Sequence, residues 1–216
     1  MTLEGTNTYL VGRDPAYVID PGPAIESHIE AIGAAAADRG GVGGILLTHS
    51  HADHTEAVPL LKAPVLERTE ALTPIPTPGH ARDHVAFSLD GVLFCGDLIL
   101  GWGSAIVPPA SEGGSLVDYM DSLTRVRELE PALMCPGHGP WIEDPQAKID
   151  EYVSHRLERE RKLVAALEDG KRSREALLDA GWGDVPPGMR PAAALAMQAH
   201  LEKLEADGRL PAGLSA

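Results

Sequence analysis

No apolar run in this 216-residue chain approaches the about 20 residues a helix needs to cross a bilayer. Runs such as Gly44-Ile45-Leu46-Leu47 and Val92–Cys95 are a few residues long, so a soluble protein without a membrane partner is expected. Cysteine is nearly missing: Cys95 and Cys135 cannot build the disulfide framework of a small secreted domain, and both are expected to be reduced. Met1–Gly5 has neither a basic n-region nor an apolar h-region, which predicts no secretory signal and a cytoplasmic location. Positive charge is scarce. Eighteen Lys and Arg face 32 Asp and Glu for a net charge of −14, a poor basis for binding that neutralises phosphates over the whole surface. There is no internal repeat and no low-complexity segment. With 44% hydrophobic and 23% charged residues, 23 Gly and 18 Pro, the composition is that of a globular, turn-rich protein, and it calls for no obligate protein partner.

The charge is unevenly spread. Residues 1–145 carry 7 basic and 20 acidic side chains, whereas residues 146–216 carry 11 and 12. Within Arg156–Arg174, seven basic residues stand against four acidic ones, which reads as a solvated helix face or an anion-binding surface. The first part contains short β runs at Asn7–Val11, Tyr17–Asp20, Gly44–Thr48, Pro64–Glu67, His84–Leu89, Val92–Gly96 and Leu133–Pro136, bounded by Gly, Pro and Asp. Helical spacing appears at Ile25–Asp38 and Leu116–Leu129. This alternation predicts an α/β core. Beyond Pro145 the β signal stops. Helices are expected at Ile149–Leu167, at Arg174–Ala180 behind a Ser173 cap, and at Pro191–Ala206, with Gly208-Arg209-Leu210 as a possible small wing. The boundary divides the chain into residues 1–145 and 146–216.

The segment His49-Ser50-His51-Ala52-Asp53-His54 places three imidazoles and a carboxylate in six residues, directly after an apolar strand. Imidazole nitrogen and carboxylate oxygen suit zinc. Two histidines at i and i+2 off a strand end face one side, and Asp53 and His54 can serve a second metal beside the first. Three further segments place a candidate ligand where a strand meets a turn: Pro78-Gly79-His80, Gly96-Asp97 and Pro136-Gly137-His138. Each alone is an ordinary turn. Together they supply donors for two cations. His84 reads as a structural histidine at a strand start or as a proton donor near the metals. His155 reads as a packing or capping residue at the junction, and Trp102 as a residue of the core, the rim or the cleft. Cys95 and Cys135 read as small buried thiols.

Over about residues 5–145 the chain resembles the metallo-β-lactamase-fold superfamily of dinuclear hydrolases. The resemblance implies a four-layer αββα sandwich with a small C-terminal helical, winged-helix-like domain. It implies that His49, His51 and His80 bind one metal, that Asp53, His54 and His138 bind the other, and that Asp97 bridges them; the two divalent ions are expected to be zinc. In Val18-Ile19-Asp20-Pro21-Gly22, Asp20 matches the strand-end carboxylate that buttresses the ligand loop. An Asp at position 97, where zinc β-lactamases tend to have Cys, implies ester or phosphodiester substrates rather than antibiotics. Gly5–Gly12, Asp83-His84, Gly96–Gly101, Pro136–Pro140, and His155-Arg156 followed by Arg159-Glu160 are similar to the beta-lactamase-like protein 2 group, whose characterised activity is endonucleolytic cleavage of single-stranded RNA.

The expected chemistry is attack by a metal-bridging hydroxide, made available near neutral pH by the cations, with Asp53 as the catalytic residue that orients it and takes its proton. That machinery serves a phosphodiester, a thioester or a lactone alike. The resemblance and the basic stretch favour a phosphodiesterase acting on single-stranded RNA, with Arg156, Arg159 and Arg172 meeting phosphates. A thioester or lactone hydrolase of the glyoxalase II type is the alternative. A degenerate fold serving as an interaction module is the third, and seven intact ligand positions argue against it.

Overall fold

The computed structural model describes residues 5–211; residues 1–4 and 212–216, the outer ends of the two expected units, lie outside the described residues. One sheet contains β1 (Tyr9–Val11), antiparallel to β2 (Ala16–Ile19), which runs parallel to β3 (Val42–Leu46). The second has the order β4 (Thr73–Pro76), β5 (Val85–Leu89), β6 (Val92–Gly96) and β7 (Leu133–Pro136), antiparallel except for the parallel β6–β7 pair. The helices are α1 (Glu26–Ala37), α2 (Ala52–Thr55), α3 (Val58–Leu61), α4 (Leu116–Glu128), α5 (Pro145–Glu168), α6 (Arg174–Trp182) and α7 (Arg190–Ala206).

The period-2 alternation of strand side chains assigns the two faces of the second sheet. Phe87, Phe94 and Cys135 point to a core shared with Val11, Ile19 and Leu46 of the first sheet. Their neighbours Ala86, Leu93, Cys95 and Met134 point the other way, against Leu116, Tyr119, Leu123 and Val126 of α4 and Ile149 and Tyr152 of α5. On the far side, α1 covers β1 and β3, burying Ile32 and Ala36. The result is the helix–sheet–sheet–helix stack that the family resemblance implies. Each large side chain buried between layers, such as Phe87 or Leu93, contributes about 2–3 kcal/mol. The two cysteines are buried and unpaired.

Two expectations need correction. Residues 64–67 form no strand: Val65 makes a single parallel bridge to Ile45, because Pro64 has no N–H and only its carbonyl can join β3. Conversely, β4 was absent from the expected strands, and it contains Pro74 and Pro76. It is an edge strand, the place where a strand tolerates proline. α5 also begins earlier than expected. Asp144 accepts the Ala147 N–H as N-cap and Pro145 opens the first turn, a start signal that the apolar spacing alone did not reveal.

α5 is 24 residues long and belongs to two cores. Ile149 and Tyr152 pack under the second sheet, while Leu163, Ala166 and Leu167 join Leu177, Trp182, Met197 and Leu204 of α6 and α7. Ser173 caps α6 by accepting the Ala176 N–H, as its sequence predicts. Among the described residues no strand follows α7, so Gly208-Arg209-Leu210 forms no wing there. No helix among the described residues is long and apolar enough to cross a membrane.

Candidate metal centre

β3, β4, β6 and β7 all deliver their C-terminal ends to one edge of the sandwich, and every expected ligand follows one of these ends. His49 and His51 lie in the loop after β3. Asp53 and His54 lie on α2, His80 in the turn after β4, Asp97 directly after β6 and His138 just beyond β7. Gly137 is required for this closeness. A Cβ there would meet Asp97 Oδ1 and His54 Cε1, so only glycine lets the β7 turn pass between two ligands.

The donor atoms of His49, His51 and His80 lie within 4.8 Å of one another, and so do those of Asp53, His54 and His138. His51 Nδ1 is 2.9 Å from His49 Nε2 and 3.0 Å from His80 Nε2. Asp97 sits between the triads, its Oδ2 3.7 Å from His80 Nε2 and 3.4 Å from His138 Nε2, its Oδ1 3.5 Å from His54 Nε2. All seven positions named from the sequence are thus brought together.

The outer ring nitrogens determine what the inner ones can do. His49 Nδ1 donates to Thr48 Oγ1 at 3.0 Å, and that hydroxyl donates onward to Asp20 Oδ2 at 2.6 Å. His54 Nδ1 donates to the same Asp20 oxygen at 2.9 Å. His80 Nδ1 donates to the Ile106 carbonyl at 2.7 Å, and His138 Nδ1 to the Gly5 carbonyl at 2.8 Å. With a proton held on each outer nitrogen, the inner nitrogens face a common space and offer lone pairs there whenever the rings are neutral, which is the way proteins orient imidazole ligands. His54 Nε2 and Asp97 Oδ1 are buried there without any hydrogen-bond partner. Buried polar atoms are seldom left unpaired. Nitrogen lone pairs and an orphaned carboxylate oxygen facing one another fit divalent cations.

Charge at the site points the same way. Burial disfavours the charged forms of His54 and His138, yet carboxylates outweigh it. Asp20 and Asp97 hold His54 up at about 10, and Asp53 and Asp97 do the same for His138. Burial alone would raise Asp97, but the nearby imidazoles of His138 and His54 keep its carboxyl well below the usual range. Burial, followed by the neighbouring imidazoles, lowers His49. The metal-free chain therefore neutralises its own acidic cluster by protonating two prospective ligands, and a cation must displace those protons. Metal uptake near pH 7 should release protons and tighten as pH rises, which calorimetry in buffers of different ionisation enthalpy will measure. The metal-free fold should behave oppositely. Histidines raised from an unfolded value of about 6.5 stabilise it fully below that value, and the contribution disappears as pH climbs through about 10. Melting temperatures of chelated protein between pH 6 and 10 test the sign.

Asp20 is placed as expected, 2% exposed, its Oδ1 accepting the Thr48 N–H at 2.7 Å. It holds the ligand loop without reaching the centre. His84 is structural: Nδ1 donates to Thr77 Oγ1 at 2.8 Å and Nε2 accepts the Asp97 N–H at 3.1 Å. Burial, followed by the charge of His80, lowers it to about 3, so it fixes the Asp97 backbone as a neutral ring and has no proton to give. His155 accepts from Arg159 Nε at 3.2 Å, a packing role at the helix junction. Trp102 stands on the cleft rim, 43% exposed.

The three arginines expected to meet phosphate do not line the cleft. Arg156 is 5% exposed, donates to the Ala105 carbonyl and lies over the Tyr119 ring. Arg159 is 7% exposed and bonded to the Gly181 carbonyl and both Asp184 oxygens. Arg172 donates to the Leu167 and Lys171 carbonyls at the end of α5. The first two side chains are interior struts, because their guanidinium groups lie over the Tyr119 and Trp182 rings and their charge finds acceptors inside. Apart from Trp102, sequence reasoning missed the cleft wall: the rest of the Leu100–Pro108 loop, together with Met189 and Leu195 from the C-terminal part. No periodicity marks that loop.

A two-sheet sandwich bearing two His/Asp triads on one edge defines a class of metal-dependent hydrolase. Residues 1–65 and 62–138 match the model of the metallo-beta-lactamase superfamily, and residues 175–210 match the beta-lactamase associated winged helix domain. The chain belongs to the metallo-beta-lactamase superfamily. It is 31% identical to a beta-lactamase-like protein 2 homolog of Drosophila melanogaster over all of this chain and 87% of that one. It is also 31% identical to an atrochrysone carboxyl ACP thioesterase of Aspergillus fumigatus, over 83% of this chain and 65% of that one. A beta-lactamase domain protein from Burkholderia ambifaria shares the fold with a TM-score of 0.80 at 19% identity, covering 94% of this chain and 82% of that one.

Proposed function

We propose that the chain hydrolyses carboxylic thioesters at a dinuclear zinc centre, with His49, His51 and His80 holding one ion, Asp53, His54 and His138 the other, and Asp97 shared between them. The observation that carries the substrate class is the cleft above the centre. Its walls include Leu100, Trp102, Ala105, Ile106, Met189 and Leu195, and among the described residues no Lys or Arg lines it. A nucleic-acid strand needs cations along its phosphates, and an apolar wall suits an acyl chain. The expectation of RNA as substrate rested on the family resemblance and on a basic stretch in which Arg156 and Arg159 are turned inward.

The leaving group supports the same choice. With His84 committed on both nitrogens, Glu112 is, among the described residues, the remaining titratable group in the cleft lining outside the ligand set. A thiol of pKa about 8.5 departs as thiolate without a strong acid, whereas a ribose alkoxide does not. The bound cations would supply an activated water and polarise the substrate carbonyl. Asp53, half-buried at the cleft floor, orients that water and accepts its proton as the carbon–oxygen bond forms. The carbon–sulfur bond then breaks, and thioester plus water become carboxylate, thiol and a proton. The thioesterase named among the relatives is consistent with this reading.

Metal-loaded protein offered single-stranded RNA, S-lactoylglutathione, an octanoyl thioester and a homoserine lactone should turn over a thioester with the largest kcat/KM. RNA cleavage that weakens steeply with salt, without thioester turnover, would overturn the proposal.

A further inference from the structure

We infer, resting on the thioester reading, that the C-terminal helices set acyl-chain length: Met189 and Leu195 close the apolar end of the cleft and make the site selective for long apolar acyl groups. The cleft encloses about 430 Å³, within the range of small-ligand sites, and two separate parts of the chain build it. One wall is the Leu100–Pro108 loop. The other comes from Met189, in the turn before α7, and Leu195 on α7. Trp102 and Leu195 are 43% and 38% exposed, so large apolar surface is left in water where an apolar ligand would cover it.

This wall is preformed. The Leu100 N–H donates to Tyr152 Oη at 2.9 Å, Arg156 donates to the Ala105 carbonyl, and the Ala110 N–H donates to Glu202 Oε2 at 2.9 Å. Three residues of α5 and α7 thereby clamp the loop. The Ile106 carbonyl orients His80 while Ile106 lines the cleft, so the wall and the metal centre are in fixed register. On the other side of His51 a second groove, lined by Ser50, Arg82, Asp83 and Ser111, shares His51 and Glu112 with the cleft. The two grooves meet at the centre and differ in polarity. The acyl chain runs toward Leu195, and the thiol-bearing portion leaves past Ser50 and Arg82.

The test compares acetyl and octanoyl thioesters of N-acetylcysteamine on metal-loaded wild type, Leu195→Trp and Met189→Trp. Burying a methylene is worth about fourfold, so wild-type kcat/KM should rise by about that factor per added carbon until the cleft is filled. Each Trp variant should lose at least about tenfold more kcat/KM on octanoyl than on acetyl. A non-hydrolysable octyl thioether, titrated calorimetrically into chelated protein, should bind wild type and fail to bind Leu195→Trp; an unchanged melting temperature shows the fold is kept. Thioester turnover indifferent to chain length, or equal octanoyl activity in the variants, overturns the inference and leaves the thioester reading standing. Octyl thioether binding that depends on Leu195, without turnover of any thioester, leaves the pocket and overturns the reaction. Neither binding nor turnover overturns both.

Discussion

Replacing Asp53 by Ala is expected to lower kcat by about 10³-fold, the scale of a lost general base combined with a lost ligand, while the fold survives. The separation follows from position. The Asp53 side chain is 26% exposed and reaches only His138 Nε2 at 3.3 Å and His54 Nε2 at 3.9 Å; it belongs to no apolar core. Metal content measured by mass spectrometry should fall for the site shared with His54 and His138 and persist at His49, His51 and His80. An Asp53→Ala protein with wild-type turnover would sink the proposed role. Unfolding of the variant would contradict its peripheral placement.

Asp20 should show the opposite balance, with stability as the first casualty. Its carboxylate serves the Thr48 N–H, the Thr48 hydroxyl and His54 Nδ1 together, all buried. Asp20→Ala strands three donors at once. The expected loss is about 3–5 kcal/mol, or a fall of about 10 °C in the melting temperature of metal-free protein, where lost metal cannot contribute. Asp20→Asn isolates the second role. An amide preserves the shape but presents N–H to His54 Nδ1, which drives the ring proton to the inward nitrogen. Metal affinity should drop about 10- to 100-fold with a smaller effect on stability. Equal affinity in Asp20→Asn and wild type would show that the hydrogen bond does not set the ring's tautomer.

The ligand set was legible in the sequence because its logic is local. His49, His51, Asp53 and His54 fall within six residues, and His80, Asp97 and His138 each sit beside a glycine turn at a strand end. The α/β core was legible for a similar reason, since strands alternating between two faces have a short period that survives as pattern, whereas the two-sheet sandwich was implied by the family resemblance. β4 escaped because proline's tolerance depends on whether a strand lies at an edge, which is a property of the sheet and not of Thr73–Pro76. The same held for Arg156 and Arg159. Seven cations in a helical stretch describe an amount of charge and give no direction; Tyr119, the Ala105 carbonyl and Asp184 turned two of them inward.

By itself, then, the sequence determined the strand-end ligands, an α/β core and the helical C-terminal part, because each is written in spacing over fewer than about twenty residues; the four-layer αββα stack was implied by the family resemblance. Only the tertiary structure decided what the site faces. The cleft wall joins Leu100–Pro108 to Met189 and Leu195, residues nearly a hundred positions apart in the chain. Their apolar surface becomes one pocket through the docking of α5 and α7, and no periodicity within either segment encodes that meeting.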